Sequence, residues 1–164
     1  MNGSSKKTSL KGTVSAALVA LVCMVASTAT QAQEPHKSPA ERAVEYRQSL
    51  YTVLAGNFGP VHMMADGKMP FSAPEAAKRS ERAAFVAKML DDAFPPESKG
   101  VAHTDAKPNI WTDKEEFQKQ MQALVDRTEA LSVAAKTGDL AKVKAATEEA
   151  AKSCKGCHDK FKKE

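Results

Sequence analysis

Two cysteines and a histidine near the C-terminus are the residues of this chain best suited to chemistry. They are Cys154, Cys157 and His158, in the pattern Cys-x-x-Cys-His. Two thiols at this spacing can add to the two vinyl groups of one haem and become thioethers, and the next residue can offer a ring nitrogen to the iron as an axial ligand. The pattern therefore predicts one covalently attached haem c, with His158 as the metal ligand.

Three other uses of this motif agree less well with the surrounding sequence. A thioredoxin-like redox motif is expected beside a βαβ pattern, and no strand-like run flanks this one. A structural zinc site needs four ligands in two clusters, whereas the remaining histidines, His36, His62 and His103, are scattered. A short-loop disulfide would have no use for the adjacent histidine. Haem attachment is the interpretation that uses all three residues of the motif.

The N-terminal segment has the three parts of a secretory signal peptide. Three early lysines precede an apolar run over 14–26, and small and polar residues continue to Ala32. The run has 13 residues, and a membrane-spanning helix needs about 20. We expect a cleaved signal peptide over 1–32, with cleavage after Ala29 and an uncleaved anchor as the alternatives. The protein would then be exported to the bacterial periplasm as a mature domain over 33–164, with no membrane attachment.

Cleavage changes what the cysteine count and the net charge imply. The mature chain keeps only Cys154 and Cys157, so haem attachment would consume both thiols and leave no disulfide. The full chain has 24 Lys and Arg against 20 Asp and Glu, and loss of the three N-terminal lysines leaves 21 basic residues. A nearly neutral chain gives no support for nucleic acid binding.

The first helix of the mature domain has a clear beginning and an uncertain end. Ser38 and Glu41 form a predicted capping box, and Pro39 suits the first turn. The helix that follows carries apolar residues on more than one face, which indicates a second contact surface. We expect the Gly-Pro pair that ends at Pro60 to kink or end this helix, because proline lacks an N–H and crowds the preceding turn.

Three further helices are predicted from similar signals. The second begins at a capping box over 72–75 and ends before the Phe-Pro-Pro segment at 94–96, after which a loop follows. The third begins at a capping box over 112–115 and ends at Gly138, and Asp139 caps the fourth. These four helices, joined by short connections and without strand signals, predict an all-α, antiparallel four-helix bundle.

The fourth helix carries the haem motif on the face that its periodicity marks for burial. That face consists of Val143, Thr147, Ala150, Cys154, Cys157, His158 and Phe161. We therefore expect the haem in the core of the bundle, where it takes the volume that large side chains usually fill. The aromatic content of 5% and the many alanines agree with this expectation.

Three segments of the chain together resemble the cytochrome c′ family. They are 43–49, 108–111 and 153–158, and the resemblance extends over 38–163. The C-terminal position of the haem motif is its most specific feature. The resemblance implies a left-handed four-helix bundle in the bacterial periplasm, usually a homodimer, and we expect the dimer to form through the first two helices.

The resemblance also implies roles for five residues outside the motif. Arg47 and Gln48 would lie by the haem propionates, where a cation pairs with carboxylates. Tyr51 would face the iron on the side opposite the axial histidine, with Phe94 as a bulky neighbour, and Lys162 would lie beside that histidine. Without the haem, the same residues read as a surface arginine, core aromatic residues and a C-terminal helix charge.

Two functions from different classes follow, with a third that has less support. The first is a high-spin, five-coordinate haem protein that transfers electrons and binds nitric oxide and carbon monoxide. The alternative is a low-spin electron carrier whose sixth iron position is filled. Because low-spin relatives use a methionine where this chain has Tyr51, we favour the open position. An enzyme such as a peroxidase is disfavoured, since no distal histidine and arginine pair is evident. The partners expected are a second copy of the chain, an unidentified periplasmic redox protein and diatomic gases.

Overall fold

The computed structural model describes residues 36–164, which form four α-helices. These are α1 (Pro39–Ala65), α2 (Ala73–Met89), α3 (Lys114–Lys136) and α4 (Leu140–Phe161). Three short 3-10 turns lie between α2 and α3, and the β pairing within the described range is one isolated bridge between Ala106 and Lys162. The all-α prediction is confirmed. The predicted signal peptide and its cleavage site lie outside the described residues.

Ion pairs between α2 and α3 show that these two helices run antiparallel. Glu81, in the middle of α2, pairs with Lys136 at the end of α3, whereas Lys88 at the end of α2 pairs with Glu129, about two turns earlier in α3. Contacts are extensive between α1 and α2, between α2 and α3, and between α3 and α4. The first and last helices contact each other much less. The bundle therefore has a gap along the α1–α4 side.

The core consists of two apolar clusters with buried hydroxyl groups between them. The first contains large side chains of all four helices, among them Leu50, Leu54, Val86, Leu90, Phe117, Leu124 and Phe161. The second contains Val61, Met64, Leu131, Ala135 and Val143. Thr128 and Thr147 donate to carbonyl groups of their own helices, while the Ser80 hydroxyl has no partner among the described residues. Cys154 and Cys157 pack against the first cluster, which places the haem motif in that half of the bundle.

The capping predictions are confirmed for the first and last helices. Ser38 Oγ accepts a hydrogen bond from the Glu41 N–H at 3.2 Å, and the Glu41 carboxylate accepts one from the Ser38 N–H at 2.7 Å. Asp139 accepts from the Ala141 N–H at 2.8 Å, one residue after Gly138 ends α3 at a φ of 71°. A positive φ is readily adopted by glycine, which explains the stop at this position.

The capping boxes predicted for α2 and α3 are wrong. The Ser72 side chain makes no cap hydrogen bond, and the Ser72 N–H donates to the Met64 sulfur, while the Glu75 carboxylate pairs with Lys78 and Arg79 on the helix surface. The N-cap residue of α3 is Asp113, one position later than predicted, and its side chain makes no cap hydrogen bond. Each helix still begins within two residues of the predicted start, because the apolar periodicity that also marks the start does not depend on a cap.

The prediction that α1 ends at Pro60 is also wrong, since the helix continues through this residue to Ala65. The alternative, a kink at Pro60, stays a prediction. Proline cannot donate to the carbonyl four residues earlier, which belongs to Gly56. In the structure this carbonyl accepts a hydrogen bond from Arg79 Nη1 of α2 at 3.3 Å. A neighbouring helix thus replaces the missing intrahelical donor.

Replacing Glu41 with alanine is expected to destabilise the protein at neutral pH but not in acid. Hydrogen bonds from the Ser38 backbone and side chain hold the pKa of the Glu41 carboxyl below its ordinary value of 4.5. A carboxyl whose pKa is lowered by folding stabilises the folded state above its unfolded pKa, and this contribution disappears as the pH falls through the folded pKa. Urea unfolding midpoints of the wild type and Glu41→Ala should differ at pH 7 and converge as the pH falls through the folded pKa of Glu41. Glu115→Ala, in the first turn of α3, is the control; an equal loss for both variants at pH 7 would contradict the capping role.

Candidate haem-binding site

Two adjoining cavities occupy the gap between α1 and α4. The first has a volume of about 390 Å³ and the second of about 280 Å³, and both are bordered by Tyr51, Ala55, Cys157 and His158. All eight site residues predicted from the sequence line one or both cavities: Arg47, Gln48, Tyr51, Phe94, Cys154, Cys157, His158 and Lys162. The fold therefore brings together residues that are more than a hundred positions apart in the chain.

The α4 wall of the cavities presents the two thiols and the imidazole. Both cysteines are free and half-buried. Burial raises the pKa of the Cys157 thiol to about 11, and the neighbouring Cys154 adds to this effect; burial also raises the pKa of Cys154. Burial, followed by the Lys162 ammonium, lowers the pKa of His158, which Asp159 partly opposes. His158 is thus held neutral, as a nitrogen ligand to iron requires.

The α1 wall presents Tyr51 opposite this motif. Its ring meets Phe94 edge to face at 6.5 Å between centroids, and Phe94 meets Phe117 in the same way at 4.8 Å. The Trp111 indole donates to the Phe94 carbonyl at 3.2 Å and so fixes its backbone. Burial raises the pKa of the Tyr51 phenol far above its usual range, the nearby Cys157 adds to this, and Arg47 partly opposes it. The phenol is therefore neutral at any physiological pH.

Arg47 is a buried cation at one end of the first cavity. Its residue is only 3% exposed, and its guanidinium donates to the Ala93 carbonyl at 3.1 Å, to Ser98 Oγ at 3.2 Å and to Thr104 Oγ1 at 3.0 Å. The guanidinium also lies 4.6 Å from the centre of the Phe94 ring. Burial lowers its pKa, yet a guanidinium stays charged in proteins. The alternative that Arg47 is an ordinary surface residue is excluded.

No carboxylate among residues 36–164 pairs with Arg47, although ion pairs are common elsewhere on the molecule. An uncompensated buried charge is strongly destabilising. The hydrogen bonds to neutral acceptors reduce this cost without supplying a negative charge. We therefore expect an anionic group to bind at this end of the cavity when the site is filled.

Sequence reasoning missed the segment that closes this end of the site. Thr104, Asp105 and Ala106 line the first cavity. This segment is joined to α1 by Gln48, whose amide donates to the His103 carbonyl at 2.7 Å, and to α4 by Lys162, whose ammonium lies 3.5 Å from the Asp105 carboxylate. It lies in the long connection between α2 and α3, where no periodic pattern marks a contact. Only the fold identifies these residues.

The arrangement fits haem c. Two thiols and a neutral histidine lie on the α4 wall, and Tyr51 faces them from α1. The buried Arg47 guanidinium at one end of the first cavity could pair with the carboxylates of the cofactor. The zinc alternative lacks ligands, because no cluster of three or more His, Cys, Asp or Glu side chains in the described part of the chain could hold a metal ion. Within that same part, none of the helices has the length and apolarity needed to cross a bilayer.

Comparison with known proteins gives consistent similarities. Residues 42–162 match the family described as Cytochrome C′. Cytochrome c′ of Rubrivivax gelatinosus is 42% identical over 120 residues, which are 73% of this chain and 93% of that protein. Its crystal structure superimposes with a TM-score of 0.72 and covers 77% of this chain and 98% of the other.

Two further solved structures contain diatomic ligands. A nitric oxide complex of a mutant cytochrome c prime from Alcaligenes xylosoxidans matches with a TM-score of 0.72 at 36% identity, over 79% of this chain and 100% of that chain. A carbon monoxide-bound variant of the same protein matches with the same TM-score, identity and coverage.

Proposed function

Because this chain belongs to the cytochrome c′ family, whose cofactor is covalently attached haem c, we propose that it is a periplasmic haem protein that transfers electrons and binds nitric oxide and carbon monoxide. Cys154 and Cys157 would attach the haem through thioethers, and His158 would ligate the iron. When bound, haem supplies an iron centre that cycles between ferrous and ferric states and can take a diatomic ligand. Export through the predicted signal peptide would provide the periplasmic location.

Arg47 and Gln48 hold the carboxylate end of the cofactor in this proposal. The guanidinium supplies positive charge inside the bundle, and its three protein acceptors fix its position. Gln48 donates to the His103 carbonyl and so holds the adjoining segment 104–106 against the first cavity. Lys162 is exposed, and its ammonium pairs with the Asp105 carboxylate. After burial, the charge of this ammonium is the second cause of the lowered pKa of His158.

The observation that carries the gas-binding proposal is the neutral, half-buried Tyr51 on the wall opposite His158. A neutral phenol is a poor ligand to ferrous iron, so Tyr51 would cover the sixth position without filling it. A ligand must displace the ring against the packing of Phe94, and this selects small molecules. The nitric oxide and carbon monoxide complexes of the relative from A. xylosoxidans support the same function.

The alternative six-coordinate electron carrier needs another ligand from α1, and the candidates are poorly placed. His62 lies eleven residues beyond Tyr51, or about 16 Å along a straight helix. Met64 is buried in the second cluster, where its sulfur accepts from the Ser72 N–H at 3.4 Å. Met63 is exposed. A peroxidase-like activity is not proposed, because Arg47, the arginine that borders the described cavities, already donates to three acceptors.

The ferrous spectrum with and without carbon monoxide tests this function. We expect a high-spin spectrum that changes when the gas is added. In Tyr51→Ala the association rate should rise about tenfold, as for a barrier lower by about 1.4 kcal/mol, because no ring has to move. Tyr46→Ala is the matched control, since Tyr46 is an exposed tyrosine on the same helix. A low-spin ferrous spectrum that does not respond to carbon monoxide would instead leave the electron carrier as the function.

We also propose a homodimer through α1 and α2. Large apolar side chains remain exposed on this side of the bundle, including Val53 on α1 and Phe85 on α2, which are 48% and 66% exposed. Sedimentation of the mature protein at micromolar concentration should give twice the monomer mass. Introducing charge with Val53→Glu and Phe85→Glu together should produce monomers, because each protomer would bury two carboxylates in the interface.

Val133→Glu provides the control for this experiment. Val133 is 68% exposed, but it lies on α3. This variant should sediment like the wild type. Monomeric wild type at high concentration, or dissociation caused equally by Val133→Glu, would contradict an interface on α1 and α2.

A further inference from the structure

The last turn of α4 begins at His158 and ends at Phe161. The carbonyl groups at the end of an α-helix have no donor within the helix and need one from elsewhere. The His158 carbonyl accepts from the Lys162 N–H at 3.0 Å, which leaves the carbonyl groups of Asp159, Lys160 and Phe161. The order of the turn that carries the histidine therefore depends on what these three groups bind.

The connection before α3 supplies a donor to each of the three carbonyl groups. Lys107 Nζ donates to the Asp159 carbonyl at 3.2 Å, and the Lys107 N–H donates to the Phe161 carbonyl at 2.9 Å. Asn109 Nδ2 donates to the Lys160 carbonyl at 3.2 Å. The end of α4 is thus completely hydrogen-bonded, although its two side-chain donors lie 52 and 51 positions earlier in the chain.

The ends of α1 and α3 are completed by local hydrogen bonds. After α1, the Lys68 N–H donates to the Met63 carbonyl at 2.9 Å, and after α3 the Gly138 N–H donates to the Ala135 carbonyl at 3.1 Å. Both donors directly follow their helix, as is common for helix C-termini. The end of α4, in contrast, depends on side chains from a distant segment.

Asn109 is held in place from the side of α3. Its carbonyl accepts from the N–H groups of Thr112 and Asp113 at 3.2 and 2.8 Å, and the next residue, Ile110, is buried in the first apolar cluster. The side-chain oxygen of Asn109 is buried and has no donor among residues 36–164, which costs free energy. Turning the amide over would bring this oxygen against the Lys160 carbonyl. The amide is therefore fixed with its N–H groups towards α4.

We propose that Lys107 and Asn109 are positioning residues for His158, which act through the last turn of α4. The proposal rests on the proposed function, in which His158 ligates the iron, and it gives a role to a connection that this function leaves without one. Helix ends fray when their carbonyl groups lack partners. A frayed last turn would let the imidazole turn away from the site, so the cap keeps the histidine in its orientation.

Amide hydrogen exchange of the haem-loaded protein measures the cap directly. In Asn109→Ala the amides of residues 158–161 should exchange about tenfold faster, equivalent to a local opening free energy lower by about 1.4 kcal/mol. The amides of α2 and α3 should keep their wild-type rates. Asn57→Ala is the matched control, because the Asn57 amide donates to the Val53 carbonyl within α1 at 2.8 Å. This control should leave exchange in α4 unchanged.

Lys107 allows a second test with a conservative rescue. Lys107→Met has a similar length but no donor for the Asp159 carbonyl, so it should speed exchange in the same turn. Lys107→Arg keeps a donor at the end of a long side chain and should stay close to the wild type. Lys99→Met is the control, because Lys99 is an exposed lysine of the same connection.

The iron–histidine stretching band in the resonance Raman spectrum of the ferrous protein reports on the axial ligand itself. The band should broaden and move to lower frequency in Asn109→Ala and Lys107→Met, because a loosened turn holds the imidazole less firmly. Covalent haem should be retained in both variants, since Cys154 and Cys157 precede the capped carbonyl groups. Intact mass after denaturation measures this retention.

Each remaining outcome decides the matter. Wild-type exchange in the last turn of both variants would overturn the cap, and a uniform increase throughout the bundle would overturn its local role. Faster local exchange with an unchanged iron–histidine band would overturn the positioning of His158. If Asn109→Ala does not fold, the comparison of Lys107→Met with Lys107→Arg decides. A wild type without an iron–histidine band would overturn the proposed function and the positioning role together, whereas a wild type with this band and variants that leave it unchanged would overturn the positioning role alone.

Discussion

Replacing both Cys154 and Cys157 with alanine is expected to yield a chain without covalent haem and with much of its helical structure lost. The two cavities between α1 and α4, about 390 and 280 Å³, would have nothing attached to fill them. Core side chains that face unfilled space lose their packing partners, which destabilises the folded state. Total stabilities are only about 5–15 kcal/mol, so a chain without its attached cofactor should lose much of its folded structure.

Intact mass after denaturation and far-ultraviolet circular dichroism measure the two parts of this expectation. The wild type should retain one haem through denaturation, the single variants Cys154→Ala and Cys157→Ala should retain it through one thioether, and the double variant should retain none. Ser153→Ala, beside the motif, should behave like the wild type. A double variant that keeps its haem after extraction into acidic solvent would show that these thiols are not the points of attachment.

Replacing Arg47 with leucine is expected to destabilise the haem-loaded protein by about 3 kcal/mol or more, since a buried acceptor left without its donor costs about 1–3 kcal/mol. The Ala93 carbonyl and the Ser98 hydroxyl lose the donor that Arg47 supplies, whereas the Thr104 hydroxyl keeps the Ala106 N–H as a donor. The reduction potential should fall as well, because removal of a buried positive charge disfavours the added electron. Urea unfolding and a redox titration measure the two effects.

Arg82→Leu is the matched control for Arg47→Leu, because Arg82 is exposed on α2. Its stability should stay close to that of the wild type, as is usual for surface substitutions. Equal stabilities of the two variants would refute the structural role of the buried cation. A destabilised Arg47→Leu with an unchanged potential would place the guanidinium away from the cofactor.

Local signals in the sequence were sufficient to predict the helices and most of the residues that face the gap between α1 and α4. The capping residues Ser38 and Asp139 and the stop at Gly138 act within one turn, so their effects can be read from neighbouring residues. Six of the eight predicted site residues lie on α1 or α4, where helical periodicity fixes the face that each occupies. The other two, Phe94 and Lys162, lie outside the helices, and the family resemblance identified them. Their chemical roles remain predictions until the variants are measured.

Features that depend on contacts between distant segments could not be predicted. The continuation of α1 through Pro60 depends on Arg79, which belongs to another helix. The segment at 104–106 has no periodicity, and its place beside the site depends on hydrogen bonds and an ion pair to both α1 and α4. The burial of Arg47 is of the same kind, because its acceptors lie in the connection after α2. Tertiary partners decide these features, and a linear pattern does not contain them.

The placement of the buried cation on the first helix and of the attachment motif on the last has a consequence for the order of synthesis. A chain is made and translocated from its N-terminus, so α1 is available long before α4. Until then the gap-facing side of α1 has no partner helix, and Arg47 has no anion to pair with. The native contacts of α1 can therefore form completely only after the last turn of α4 has left the ribosome and the cofactor has been attached to it.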